Sequence, residues 1–134
     1  MGTLKDFFKA DRFARVAGVE LLEVTSGYAK AKMLVTPDHL NGGGVCQGGA
    51  LFTLADLAFA AVANSHKQLT LSISSTISFL RPVSSGYVYA EATEVHNHHR
   101  IPYIEVKLTD EQQRLIAVFT SVGYRKDVTL PVED

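Results

Sequence analysis

An aspartate interrupts the most apolar segment of the chain. From Gly49 to Asn64 the sequence carries good helix formers that are apolar on every face, and only Thr53 and Asp56 break the pattern. An ionised carboxylate buried there would cost far more than the ~1–3 kcal/mol of a neutral polar group. Asp56 is therefore either a hydrogen-bonded structural residue or a carboxylate with a raised pKa that acts as a base or nucleophile.

The second interpretation is favoured because no other charged residue lies on the same helix to pair with Asp56. Thr53, one turn earlier, shares its face of the helix and could line the same cleft. Gly48 and Gly49 precede the helix, where unpaired N–H groups coincide with the positive end of the helix dipole. These amides could bind an oxyanion, but roughly 10 Å of helix, at ~1.5 Å per residue, separates them from Asp56.

The histidines do not form a recognisable metal site. His96, His98 and His99 cluster on a predicted turn, without a thiolate or carboxylate at metal-ligand spacing. His39 and His66 fall in a loop and at a helix end, and we interpret both as surface residues. The sequence therefore predicts no metal.

Other nucleophile and cofactor patterns are weak. Cys46 has no evident partner base, so a small structural thiol is the better interpretation. The glycines between positions 42 and 49 do not form GxGxxG, and no GK[ST] follows, which excludes a dinucleotide fingerprint and a phosphate loop. Ser72 begins a run of hydroxyl residues on a predicted strand, but no GxSxG elbow supports a serine nucleophile.

Length and composition exclude several classes of protein. The chain has 134 residues, of which 46% are hydrophobic and 20% charged, so it fits one ordered domain. Its net charge of −1 is too small for binding a phosphate backbone, and we predict no nucleic-acid partner. One cysteine and no signal-peptide pattern predict a cytoplasmic protein. No apolar run reaches the ~18 residues of a membrane span, so no membrane contact is expected.

The pattern along the chain predicts an α+β fold within a single domain, residues 1–134. A helical segment over 1–17 precedes the sheet, and a tail over 126–134 follows it. One buried helix lies among six strand-like runs, and the short connections favour antiparallel neighbours. The predicted strands are Val19 to Val24, Tyr28 to Val35, Leu69 to Leu80, Tyr87 to Val95, Ile101 to Leu108 and Leu115 to Tyr124.

Three sequence motifs, taken together, resemble a known family. They are Asn-Gly-Gly-Gly-Val-Cys-Gln-Gly-Gly at 41–49, Leu-Phe-Thr-Leu-Ala-Asp-Leu-Ala-Phe-Ala at 51–60, and Ile-Ser-Phe-Leu-Arg-Pro at 77–82. Over roughly residues 18 to 125 the chain resembles the hotdog-fold acyl-CoA thioesterases of the phenylacetate-degradation PaaI type. The resemblance implies a curved antiparallel sheet wrapped around one long central helix. It also implies a homodimer with shared active sites, and a homotetramer made of two such dimers.

The resemblance also implies roles for individual residues. The family's catalytic carboxylate falls on Asp56, its oxyanion amide on Gly48, and its carbonyl-orienting amide on Asn41. A hydroxyl that helps to place the attacking water falls on Ser72. The family usually has histidine before the double glycine, where this chain has Gln47.

Acyl-CoA is therefore the expected ligand, and no cofactor or metal is expected. Its binding residues are predicted to be Gln47, Gly49 and Thr53 around the helix start, with Arg81 or Arg100 meeting the CoA phosphates. The leading hypothesis is hydrolysis of an acyl-CoA thioester, with Asp56 as general base or as nucleophile. The alternatives are an acyl-CoA-binding protein without catalysis, and a hotdog hydratase or dehydratase. Gln47 counts against the latter because it cannot transfer protons.

Overall fold

A computed structural model describes residues 2–133, so the predicted domain boundaries at 1 and 134 lie outside the described residues. Four helical elements are present: α1 (Leu4–Phe8), α2 (Arg12–Ala17), a 3-10 turn (Pro37–His39) and α3 (Gly48–Ala63). Six strands accompany them: β1 (Val19–Thr25), β2 (Tyr28–Val35), β3 (Gln68–Phe79), β4 (Gly86–His96), β5 (Tyr103–Thr109) and β6 (Leu115–Thr129).

The six strands form one antiparallel sheet in the order β1-β2-β4-β5-β6-β3, and α3 packs against every strand. In β2 the buried positions alternate with more exposed ones, because successive side chains of a strand point to opposite faces. Its inward residues include Ala29 and Ala31, whose small side chains let the helix approach closely. The predicted fold class, one long helix held by a curved antiparallel sheet of six strands, is confirmed.

The neighbour relation predicted for β3 and β4 is wrong. β3 pairs with β6, whereas β4 lies between β2 and β5. The connection after β3 crosses the end of the sheet, where the N–H groups of Leu80 and Arg81 donate to the carbonyl oxygen of Ile116. Short connections favour adjacent antiparallel strands but do not require them.

The helical segment predicted at the N-terminus agrees with the structure better than the tail predicted at the C-terminus. Within the helical segment predicted over 1–17 the structure has two short helices, α1 and α2, and α2 is followed by Gly18 in a left-handed conformation (φ 83°). At the other end, β6 continues to Thr129, so part of the tail predicted from residue 126 is strand. Among residues 2–133, no helix is both long and apolar enough to cross a membrane.

β3 forms an unpaired edge of the sheet. It has twelve residues, and the side chains of Leu71, Ile73 and Phe79 are more than half exposed, at 53%, 62% and 52%. A long apolar edge strand is a template for pairing with another chain, and natural proteins leave such edges uncovered only rarely. The exposed side of β3 is therefore open to pairing with another strand.

Candidate active site

The N-terminus of α3 presents unbonded backbone donors. Gln47 is the N-cap residue, and its side chain makes no capping hydrogen bond. Within residues 2–133, no acceptor is found for the N–H groups of Gly48 or Gly49, whereas the N–H of Gln47 donates to the carbonyl oxygen of His39 at 2.8 Å. Free amides at a helix start bind negative charge, aided by the helix dipole.

Glycine at position 48 lets the ring of Phe79 pack closely against the start of α3. A Cβ atom there would lie 2.8 Å from Cζ of Phe79, which is closer than real Cβ contacts allow. At Gly49 a Cβ atom would meet Oε1 of Gln47 at the same distance, so the Gln47 side chain folds over the helix start. A ligand oxygen can reach these amides because neither glycine carries a side chain.

Asn41 lies beside this helix start with its amide group oriented by the loop. Its Oδ1 accepts hydrogen bonds from the N–H groups of Gly43 at 2.9 Å and Val45 at 3.3 Å. The Nδ2 group has no partner among the described residues and can donate to a ligand. Asn41, Gly48 and Arg81 together line a cavity of about 400 Å³.

Asp56 is half-buried on α3, and its carboxylate has no hydrogen-bond or ion-pair partner within residues 2–133. Burial raises the pKa of Asp56 above the ordinary value of 3.8, and the charge of Asp11 raises it further. Asp11 is the N-cap of α2, where its Oδ1 accepts from the N–H of Ala14 at 3.1 Å. The carboxylate of Asp56 is thus free to bind water or a substrate.

The same side of α3 borders a second cavity, of about 600 Å³. Gln47, Gly49 and Thr53 line it, so the three predicted binding residues around the helix start share one space. The hydroxyl of Thr53 donates to the carbonyl oxygen of Gly49 at 2.9 Å, which leaves its lone pairs available to a ligand.

Ser72 points toward the helix side of the sheet. It pairs directly with Gly123 on β6, and paired residues of antiparallel strands share a face. A Cβ atom at Gly123 would lie 3.3 Å from Cζ of Phe59, a buried residue of α3, which identifies that face. The Ser72 hydroxyl belongs to the half of β3 that covers the end of α3, away from Gly48.

A single chain therefore assembles only part of the predicted site. Asn41, Gly48 and Arg81 lie together, while Asp56 is eight residues along the helix from Gly48, or about 12 Å at ~1.5 Å per residue. Arg100 lies elsewhere: its Nη1 donates to the carbonyl oxygen of Arg125 at 2.8 Å, and its Nη2 pairs with Asp127 at 3.0 Å.

The histidine-rich turn is held by a buried arginine. Arg125 is 5% exposed, and its Nη1 donates to Oδ1 of Asn97 at 3.1 Å and to the carbonyl oxygen of His98 at 3.3 Å. The rings of His98 and His99 stack with centroids 4.4 Å apart. In the part of the chain that the structure describes, no group of three or more histidine, cysteine or acidic side chains could hold a metal ion.

His39 and His66 are not the free surface residues that sequence reasoning expected. Nδ1 of His39 accepts from the N–H of Thr36 at 2.9 Å, and its Nε2 lies 2.6 Å from the carbonyl oxygen of Ala17. His66 pairs with Glu94 at 3.1 Å. The contacts with Ala17 and Glu94 join segments 22 and 28 residues apart, so no local pattern could have revealed those two.

Comparison with known proteins gives one family. A family model described as Thioesterase superfamily matches residues 43–117, the stretch that runs from the loop through α3 to β6. A protein of Archaeoglobus fulgidus is 35% identical over 130 residues, covering 96% of this chain and 84% of the relative. The acyl-coenzyme A thioesterase PaaI of Escherichia coli is 32% identical over 127 residues, covering 94% of this chain and 91% of the relative.

Solved structures agree with the sequence comparison. The structure of E. coli PaaI, from the phenylacetic acid degradation operon, superposes with a TM-score of 0.89 at 31% identity and covers 93% of this chain and 91% of that one. A mutant structure of the phenylacetic acid degradation protein PaaI from Thermus thermophilus gives a TM-score of 0.83 at 32% identity, covering 87% of this chain and 100% of that one.

Proposed function

Because this chain belongs to the Thioesterase superfamily, we propose that it hydrolyses the thioester of an acyl-coenzyme A to a carboxylic acid and free coenzyme A. The observation that carries the proposal is that one helix has both a carboxylate, Asp56, and backbone amides at its start, Gly48 and Gly49, and that none of these groups has a hydrogen-bond partner within residues 2–133. The name of the E. coli relative supports an acyl-CoA as the substrate.

The chemistry assigns a separate task to each group. The Gly48 N–H stabilises the negative charge that develops on the thioester oxygen, and the Nδ2 group of Asn41 orients the carbonyl. Asp56 either takes a proton from the attacking water, whose oxygen bonds to the carbonyl carbon, or attacks that carbon itself to form an anhydride that water then hydrolyses. In both routes the carbon–sulfur bond breaks, and coenzyme A leaves as a thiolate that takes up a proton. Ser72 helps to place the water. Water is the only co-reactant, so the proposed reaction needs no redox cofactor, and we propose that Asp56 rather than a metal ion activates the water.

A second copy of the chain would bring the two halves of the site together. If β3 pairs antiparallel with β3 of another copy, the Phe79 end of one strand lies beside the Gln68 end of the other. Gly48 packs against Phe79, so it lies at the Phe79 end of the strand. Gly48 of one copy then approaches Ser72 and α3 of the other. We therefore propose a homodimer with two shared active sites, and a homotetramer of two dimers as the larger assembly.

Charge favours Arg81 over Arg100 for the phosphates of coenzyme A. Arg81 is exposed, lines the cavity beside Gly48, and has no acidic partner within residues 2–133. Arg100 already pairs with Asp127 within its own chain. We propose Arg81 as the principal phosphate contact and Arg100 as a secondary one. Phenylacetyl-CoA or a related intermediate of phenylacetate degradation is the expected substrate class, and the cytoplasm the expected compartment.

A thiol-release assay with a panel of aryl and aliphatic acyl-CoAs tests the proposal. The wild-type protein should release free coenzyme A, and Asp56→Ala should not, although it remains a dimer by light scattering. Full turnover by Asp56→Ala would contradict the mechanism. Tight acyl-CoA binding by the wild type without thiol release would instead identify a binding protein, and hydration of enoyl-CoA without thiol release would identify a hydratase.

A further inference from the structure

The cavity of about 600 Å³ beside α3 has an outer wall that the proposed chemistry does not use. Phe13, Val16 and Ala17 of α2 form this wall, and Leu40 and Ala50 complete the apolar lining. A space of this size lies within the range of small-molecule sites, about 300–1,000 Å³. An apolar wall facing a few polar groups is the usual arrangement of a ligand pocket.

Two residues of this wall, Phe13 and Val16, are apolar and yet largely exposed to solvent. The side chain of Phe13 is 70% exposed and that of Val16 is 86% exposed, whereas Ala14 on the opposite face of α2 is buried. Covering side chains of this kind is favourable because it removes apolar area from water. Two such residues side by side at the mouth of a cavity provide apolar surface that a ligand can cover.

The position of Gly48 between two cavities indicates which part of the substrate each one takes. A thioester carbonyl has two substituents, the acyl group and the sulfur of coenzyme A. The smaller cavity, lined by Asn41, Gly48 and Arg81, offers a cation that has no acidic partner among the described residues and is suited to phosphates. The larger cavity includes Gln47 and Gly49, on either side of Gly48, and within residues 2–133 no cation lines it apart from His39. Its apolar wall belongs to α2, Leu40 and Ala50, and its polar groups are Asp38, His39, Gln47 and Thr53.

His39 fixes the wall in place. Because Nδ1 of His39 accepts from the N–H of Thr36, the neutral ring carries its hydrogen on Nε2 and donates it to the carbonyl oxygen of Ala17. That carbonyl lies in the last turn of α2 and has no partner within its own helix. The carbonyl oxygen of His39 accepts from the N–H of Gln47, so His39 joins α2 to the start of α3.

We propose that the space between α2 and the start of α3 is the acyl subsite, and that it takes an apolar acyl group of medium chain length or with one aromatic ring. Phe13 and Val16 cover the bound acyl group, and His39 is a positioning residue that holds α2 over it. This inference rests on the proposed function, since it assigns the acyl half of the same substrate.

The test compares acetyl-, hexanoyl- and phenylacetyl-CoA with Phe13→Ala and Val16→Ala. We expect kcat/KM for hexanoyl- and phenylacetyl-CoA to fall about tenfold, the equivalent of about 1.4 kcal/mol of lost apolar contact. The loss should be smaller for acetyl-CoA, because its short acyl group makes less contact with the wall. Phe7→Ala is the matched control, because Phe7 is an exposed phenylalanine on α1 that does not line the cavity. An unchanged preference among the three substrates in both variants would overturn the proposal.

His39 is tested through the split between KM and kcat. We expect His39→Ala to raise KM for hexanoyl-CoA about tenfold while kcat changes less than twofold, and we expect His39→Gln, which keeps a donor and an acceptor, to restore most of the affinity. An equal loss for all three substrates in both variants would show a general structural role and contradict the positioning role.

Direct binding separates this inference from the proposed function. The probe is a hexanoyl-CoA analogue with a thioether in place of the thioester, measured by calorimetry. If the wild type cleaves no thioester but binds the analogue, and Phe13→Ala weakens that binding about tenfold, the hydrolase proposal fails and the subsite stands. If thioesters are cleaved but Phe13→Ala binds the analogue as tightly as the wild type, the subsite fails alone.

Discussion

The ring of Phe79, at the end of the edge strand, packs directly on Gly48: a Cβ atom added to Gly48 would lie only 2.8 Å from Cζ of Phe79. The contact joins the free amides at the start of α3 to the strand that is expected to pair with another copy. Dimerisation would therefore set the position of the oxyanion donor, because any displacement of Phe79 moves the wall against which Gly48 packs.

Gly48→Ala tests this contact. The added methyl group pushes the exposed ring of Phe79 aside and obstructs the approach of a ligand oxygen to the N–H group, and we expect kcat to fall about 10²–10³-fold, as it does when an oxyanion donor is lost. Gly42→Ala is the control, because a Cβ atom at Gly42 meets nothing within 4 Å and its φ is not positive. Equal effects of the two substitutions on kcat would count against the role of Gly48.

The pH dependence of kcat/KM reports the protonation of Asp56. Its pKa is raised by burial and by Asp11, and the ionised form is the active one, so the rate should rise with pH through a value above 3.8. Asp11→Asn removes the neighbouring charge but can still cap α2, and we expect it to move this acid limb to lower pH. An acid limb that stays in place would show that Asp11 does not act on Asp56.

The stability of the folded chain should improve when Asp56 loses its charge. Between the ordinary carboxyl pKa and the raised one, the folded chain binds more protons than the unfolded chain, so stability falls as pH rises through that window. Asp56→Asn removes this cost. At pH 7 we expect the variant to have a higher Tm than the wild type, and at pH 3 the difference should vanish. A lower Tm at pH 7 would indicate that the carboxylate has a stabilising partner.

A charge on the edge strand should separate the subunits. Ile73→Asp places like charges close to each other where two copies of β3 pair, and we expect a monomer by light scattering, with thiol release below 1% of the wild type, or about 10²-fold lower. Val95→Asp is the control, because Val95 is similarly exposed, at 59%, but lies on β4 rather than on the edge. An active monomer of Ile73→Asp would show that one chain is sufficient.

The fold could be predicted from sequence because the signals that define it are local. Apolar alternation marks β2, and the apolar segment from residue 49 to 64 marks α3, within one residue of its observed ends. The position of β3 at the edge could not be predicted, since strand order depends on contacts between distant segments such as β3 and β6.

The candidate site likewise has some features that are visible in the sequence and others that depend on tertiary packing. Asp56 and the double glycine stand out because a charge in an apolar helix and two glycines at its start are visible in the sequence. The cavity between α2 and α3 and the contact of His39 with Ala17 depend on tertiary packing, with a separation of 22 residues between the two partners. Arg81 and Arg100 look equivalent in sequence, and the structure distinguishes them because Arg81 lines the cavity beside Gly48, whereas Arg100 pairs with Asp127.

Subunit complementation tests the shared site most directly. Asp56→Ala and Gly48→Ala are purified separately, each inactive, then mixed in equal amounts, dissociated and reassembled, and assayed for thiol release from phenylacetyl-CoA. A hybrid dimer has one site with both Asp56 and Gly48 intact if the two residues come from different chains. Random pairing makes half of the dimers hybrid, so we predict recovery of about a quarter of wild-type activity. A mixture that stays inactive, although mass spectrometry shows hybrid dimers, would contradict the shared site.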